Sequence, residues 1–327
     1  MLEQLKLAKY RFVLQIHDPL HLPSYKGGIL RGAFGTAFKR IACRAGSACV
    51  PTKGSEHLCQ RPDSCAYGYV FETPVPPDAE VLRTHQSISP PFVIEPPVDD
   101  RQHYQPGDTL TFNVVLIGAG IQYLPYFVLA FKTLGAEGFG PKRSRFQLDQ
   151  IWALDALGPW QTLIYDGASD TLRNEQMVTD MAAIKRATQA LSANTIRVHF
   201  QTPTRLKHAG EYVRQPDFHV LVRALLRRIS TLYYFHCGQL WDIDYAALVT
   251  QAQTVRMIQA NTNWVAWQRF SSRQRRQIKL DGFVGEITYE GHLAPFHELL
   301  VIGSLLHVGK ACVFGWGAYS LINSFAN

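Results

Sequence analysis

The chain has 327 residues, 46% of them hydrophobic and 18% charged, a composition that buries a large core, excludes a low-complexity polypeptide and favours two domains over one. No uninterrupted apolar run reaches the roughly 20 residues that span a bilayer, and MLEQLKLAKYRFVLQIHDPL alternates like a strand instead of carrying a signal peptide's apolar centre, so a cytoplasmic protein with no membrane partner is expected. Lys plus Arg outnumber Asp plus Glu by 33 to 26, a net charge of +7 that favours an anionic partner, nucleic acid first and an ordinary basic enzyme second.

Hydrophobic periodicity predicts a strand at 7–17, a helix over GGILRGAFGTAFKRIAC, a strand over TLTFNVVLIG, a helix at 121–135 and a closing strand over RSRFQLDQIWAL. Residues 155–193 read as a connection that carries one helix, TLRNEQMVTDMAAIKRATQAL. The plan then repeats, with a strand at 195–202, a long helix at 217–236, a hairpin from 263–271 and 276–290, a helix at 294–308 and a last strand at 313–322. Strand, helix, strand, strand, helix, strand is the split βαβ arrangement. The expected fold class is therefore α+β, with tandem ferredoxin-like domains at 1–154 and 194–327, and a cysteine-rich insertion at 43–65 in the first.

In each half the second helix runs into a glycine cluster and then the final strand: LGAEGFGPKRSRFQL and HVGKACVFGWGAYSL. Gly309 and Lys310 resemble the end of a nucleotide phosphate loop. The spacing from Gly303 is one residue too long, Ala311 replaces the Ser or Thr that would hold magnesium, and a strand follows where a helix should open. Glycines instead let another chain approach closely, and consecutive backbone N–H groups in such turns form anion-binding concavities. Gly309, Gly315 and Gly317 are expected to admit an RNA backbone, with Lys142, Arg143, Arg145 and Lys310 meeting phosphates. Phe314 and Trp316 are either stacking faces or core.

These segments resemble a known family. LDGFVGEITYEGHLAPFHELLVIGSLLHVGKACVFGWGAYSL is similar to the C-terminal domain of the CRISPR-associated precursor-RNA processing endoribonucleases of the RAMP superfamily, and LPSYKGGILRGAFGTAFKRIAC, YGYVFETP, PFVIEPP and GFGPKRSRFQL resemble their first domain. The resemblance implies tandem ferredoxin-like domains that bind CRISPR repeat RNA, cut it once without metal, and release guide RNA. A CRISPR effector complex is the further partner it implies. Thr36 stands in the first helix where a histidine would be attractive, so no catalytic residue transfers by motif.

Metal-free RNA cleavage uses the substrate's 2′-OH as nucleophile and leaves a 2′,3′-cyclic phosphate and a 5′-OH. It needs a base, an acid and cations around the phosphorane, and histidine suits the proton work. The resemblance places the histidine in or just after the first helix, which makes His57 the first candidate, Tyr25 and Lys26 at the helix entrance its partners, and His21 the reserve. Cys43, Cys49, Cys59 and Cys65 surround His57. Four cysteines in one cytosolic loop suggest structural zinc, although their spacings are wider than in common zinc motifs, and unligated thiols or a His57 ligand stay open. RFSSRQRRQIK brings Arg269, Arg273, Arg275, Arg276 and Lys279 to a hairpin without an acid, where they grip phosphates or guard a solvated edge. A catalytically inert RAMP subunit holding guide RNA is the alternative function. A metal-dependent nuclease is disfavoured, since no Asp/Glu cluster has metal-ligand spacing.

Overall fold

The computed structural model describes residues 2–42, 65–73, 75, 88–140, 142–271 and 276–322, those from 267 to 280 through their backbone alone. The chain forms two compact units, one of Leu5–Val178 with Thr231–Gln239, the other of Met1–Gln4, Thr179–Ser230 and Leu240–Asn327.

The first unit begins with β1 (Leu7–Ile16), the short β2 (Leu20–His21) and helix α1 (Gly27–Ala42), and continues through β3 (Phe92–Glu95), β4 (His103–Tyr104), β5 (Thr109–Ile117), α2 (Leu124–Glu137), β6 (Phe146–Leu154), β7 (Gln161–Asp166) and β8 (Thr171–Leu172). Along β1, Ala8, Tyr10, Phe12, Leu14 and Ile16 are buried while Lys9, Arg11, Val13 and Gln15 alternate outward, the period of two that one covered sheet face demands. On α1 the apolar stripe Leu30, Phe34, Ala37, Phe38 has helical spacing. The two meet in an aromatic core: the Phe34 ring stacks on Phe127 and Phe131 with centroids 4.4 and 5.3 Å apart, and Phe131 lies 5.3 Å from Phe12.

The main sheet of this unit runs β3-β5-β1-β6-β7-β8, antiparallel throughout this path. Its first four members follow the ferredoxin-like order. β3 is the strand that completes the split βαβ plan in this half, and β7 and β8 extend the sheet out of the stretch read as a connection. The helix expected across 171–191 is confined to α3 (Met181–Thr188), N-capped by Asp180, whose carboxylate accepts from Ala183 N at 2.9 Å. The two-residue β9 (Val178–Thr179) precedes it.

The second unit holds β10 (Thr195–Thr204), the hairpin β11 (Lys207–His208) and β12 (Glu211–Tyr212), the start of α4 (Phe218–Cys237), α5 (Tyr245–Ala252), β13 (Arg256–Ser271), β14 (Arg276–Glu290), α6 (His297–Leu306) and β15 (Tyr319–Ile322). Its sheet order, β13-β14-β10-β15, places second, third, first and fourth strand side by side, the same order as β3-β5-β1-β6. Phe200, Phe283, Phe218, Tyr289 and Phe296 pack its core, with ring centroids 4.8 to 5.1 Å apart. The last strand is shorter than expected. Left-handed backbone at Ala311 (φ 65) and Gly315 (φ 87) brackets a 3-10 turn at Cys312–Phe314, which delays strand pairing until Tyr319.

Candidate active site

In the first unit β2 pairs β4 in a two-rung ladder that sets His21 opposite His103. Both side chains are exposed, their Nδ1 atoms lie 3.3 Å apart and their ring centroids 4.4 Å. Leu22 N donates to Gln102 O at 2.9 Å, and Gln102 Nε2 to Ser24 Oγ at 3.0 Å, which zips the 99–104 segment against 20–24. His103 carried no sequence signal, because it meets His21 only across this fold.

Lys26 stands at the foot of α1, but it does not face a substrate. The side chain is fully buried, and its ammonium donates to Ser24 O at 3.2 Å, Asp99 O at 2.9 Å and Asp99 Oδ1 at 2.9 Å. With its donors spent on those three acceptors and no part of the side chain open to solvent, the expectation that Lys26 moves protons is corrected: it is a tether. Tyr25 beside it is half-buried. Thr36 spends its hydroxyl on Gly32 O, 3.1 Å away in the same helix.

The first glycine loop packs beside β2. Gly138 has φ 76, and a Cβ there would lie 2.0 Å from Arg143 O, so the chain's own backbone demands glycine. Phe139 and Ser144 close the loop by reciprocal N–H···O bonds of 3.1 Å, and Ser144 Oγ donates to Pro19 O at 2.7 Å. Arg145 grips Asp18 through Nε at 2.8 Å and Nη2 at 3.2 Å, while its backbone N–H adds a third bond at 3.0 Å. These bonds hold the Asp18 carboxyl down at about 2. Arg145, expected to bind phosphate, is therefore the loop's anchor. Lys142 and Arg143 are exposed and, among the described residues, meet no carboxylate.

The second glycine loop turns the same physics to a different end. A Cβ on Gly309 (φ 92) would lie 2.5 Å from Arg205 O, and one on Gly317 (φ 72) 1.8 Å from Val308 O. Gly315 is buried, and its carbonyl accepts from Thr202 Oγ1 at 2.8 Å. At Gly309 and Gly317 it is the protein's own backbone that is admitted, which corrects the expectation that these two admit RNA. Trp316 is fully buried core. The loop delivers exposed Lys310, whose Nζ lies 5.7 Å from the centre of the Tyr212 ring. Arg205 at 4.2 Å and Lys207 at 5.0 Å share that ring, so three cations converge on one aromatic. Arg205 is paired with Asp281 at 3.1 Å; neither Lys207 nor Lys310 meets a carboxylate among the described residues. Such a cluster repels itself and suits an anion.

His57, Cys43, Cys49, Cys59, Arg273 and Arg275 lie outside the described residues. Cys65 is half-buried, its thiol donating to Ala42 O at 3.9 Å, and no group of three or more His, Cys, Asp or Glu converges among the described residues. Arg269 belongs to β13, and Arg276 and Lys279 to β14, as backbone positions.

Residues 5–177 match a family described as the AF_1859_N N-terminal domain, which takes in more than half of the chain, and residues 198–319 match the CRISPR-associated endoribonuclease Cas6. The chain belongs to the Cas6-type RAMP proteins. The Cas6-type chain is 26% identical over 154 residues to an uncharacterized protein of Archaeoglobus fulgidus, a match spanning 47% of each, so it covers about half of that relative's length. A solved Cas6 product complex superposes with a TM-score of 0.56 at 15% identity over 97% of this chain and 100% of that one. Cas6 of Thermus thermophilus gives 0.53 at 15% over 97% and 99%, and a partial Cas6-RT-Cas1–Cas2 complex 0.57 at 15% over 100% and 48%. These likenesses establish the shared tandem ferredoxin-like fold.

Proposed function

We propose that this Cas6-type protein is an endoribonuclease that processes CRISPR RNA, cutting the repeat by attack of its own 2′-OH. The observation that carries the reading is His21, an exposed imidazole on β2 beside the glycine loop that presents Lys142 and Arg143. His21 takes the 2′-OH proton, the 2′-oxygen attacks phosphorus, the P–O5′ bond breaks with its electron pair, and the 5′-oxygen is protonated by Tyr25 or solvent. Lys142 and Arg143 offset the charge that grows on the phosphorane oxygens. Repeat RNA is held through its phosphates, by these two residues on the first unit and by the Tyr212 cluster on the second. His57 and the zinc reading of Cys43, Cys49, Cys59 and Cys65 stand beside this scheme as proposals of the sequence alone.

The test is incubation with repeat RNA in excess EDTA, alongside the same RNA carrying one 2′-deoxy nucleotide at the cut. Cleavage of the first and not the second, with a cyclic phosphate on the product, is expected. Cutting that waits for added magnesium, or that proceeds at the deoxy site, would overturn the mechanism. The second reading, a RAMP subunit that holds guide RNA without cutting it, is favoured by one observation: Thr36 fills α1 with an internally bonded hydroxyl. Binding without cleavage is its outcome.

A further inference from the structure

We propose that His103 is the positioning residue of the site, an imidazole that fixes the tautomer and orientation of His21. The inference rests on the proton-transfer reading of His21 given above. At 3.3 Å between Nδ1 atoms, one ring donates and the other accepts. With His21 Nδ1–H as donor and His103 Nδ1 as acceptor, the His21 lone pair is left on Nε2, the nitrogen turned away from the pair and free to take a proton. After that transfer the His21 imidazolium keeps its Nδ1–H, and the same acceptor stabilises it. This is the orienting logic of any imidazole base held by a third group.

What makes His103 a built partner, and not a chance neighbour, is how firmly its segment is held. The ladder places it directly across from His21. Its carbonyl accepts from Arg101 Nε at 3.0 Å; Arg101 in turn is paired with Asp108 and lies 4.5 Å over the Tyr104 ring. Two residues before Arg101, Asp99 takes the buried Lys26 ammonium on its carboxylate and its carbonyl, and its carboxylate also accepts Arg101 N at 3.1 Å. A buried lysine at the foot of α1 thus fixes the strand that carries the orienting histidine. The bonds run from Lys26 through Asp99 and Arg101 to His103, and His103 meets His21.

The test separates tautomer from rate. Asn is the informative substitution, because its Oδ1 occupies the place of an imidazole Nδ1 and accepts the same bond. ¹⁵N chemical shifts of the His21 ring should report an Nδ1-protonated imidazole in the native protein and in His103→Asn, and an Nε2-protonated one in His103→Ala. Single-turnover cleavage by His103→Ala should fall about 10–100-fold, the scale on which a metal-bound histidine suffers when its orienting partner is removed, with repeat-RNA affinity unchanged and the rate largely restored in His103→Asn. The double variant His21→Ala with His103→Ala should be no slower than His21→Ala alone, since a residue that acts only through His21 has nothing left to act on. Lys26→Met should move the His21 ring shifts toward those of His103→Ala. Unchanged His21 shifts in His103→Ala, or rate losses that simply add in the double variant, overturn the proposal. If the shifts move as expected while His21→Ala cleaves at the native rate, the positioning stands and it is the chemical role of His21 that falls.

Discussion

Lys26 and Asp18 show at the level of single side chains why charge here is structural before it is functional. A fully buried ammonium is tolerated only with its hydrogen bonds made. Removing its partner should therefore cost more than removing the charge itself. Asp99→Ala strands the Lys26 ammonium with two carbonyls and is expected to cost about 1–3 kcal/mol in urea unfolding; Lys26→Met leaves only a half-exposed carboxylate that water can solvate, and should cost less. The reverse order would contradict the tether. Asp18 is the surface counterpart. Its folded-state carboxyl is lowered to about 2 by Arg145, so its contribution is complete above the ordinary carboxylate range near 3.9 and is lost as pH falls from there toward about 2. The difference in thermal midpoint between the native protein and Asp18→Asn should be constant near neutrality and vanish below about pH 2. A difference that persists there removes the ion pair from the account.

Each glycine loop, at the next scale, is a clasp in which the chain crosses itself. Gly317→Ala puts a Cβ 1.8 Å from Val308 O at a positive φ, whereas Gly210, on the tip of the β11–β12 hairpin at φ 89, has nothing within 4 Å. The left-handed conformation alone costs a non-glycine residue roughly 1–2 kcal/mol, so Gly210→Ala should lose about that much stability and Gly317→Ala clearly more, as read by chemical denaturation. The clasps were legible in LGAEGFGPKR and HVGKACVFGWGAY as repeated glycine clusters, but which surface each glycine faces was not, because Arg205 and Val308 approach through tertiary packing. The long amphipathic elements β1, α1, β5, α2 and α4 were legible from their periodicity. β3 escaped because Phe92–Glu95 is short, prolines flank it, and its first three residues are buried with no alternation to read. His103 escaped for a related reason. A two-residue strand has no period, and its partner lies 82 positions away.

For the whole molecule, the repeated strand order of the two units ties the sequence's internal symmetry to a double RAMP fold, and the two units are assigned separate tasks. Under the proposed function the first carries the proton chemistry and the second, through Lys310, Lys207 and Arg205 around Tyr212, holds the RNA backbone. Lys310→Ala should reduce repeat-RNA affinity, lower the slope of log K against log salt by about 1, and leave the thermal midpoint nearly unchanged, because its ammonium is exposed and meets no carboxylate among the described residues. An unchanged slope would return the second loop to a purely structural role. The tandem fold and basic balance were readable from composition and pattern, whereas the rank of the histidines was not: of twelve, His21 stood in reserve behind His57 until the fold set it against His103 beside the first glycine loop. Single-turnover cleavage of repeat RNA in EDTA by His21→Ala, measured beside its RNA affinity, decides whether that imidazole moves the proton. Native affinity with a rate lower by about 10²–10⁴-fold is expected; cleavage at the native rate would remove His21 from the chemistry.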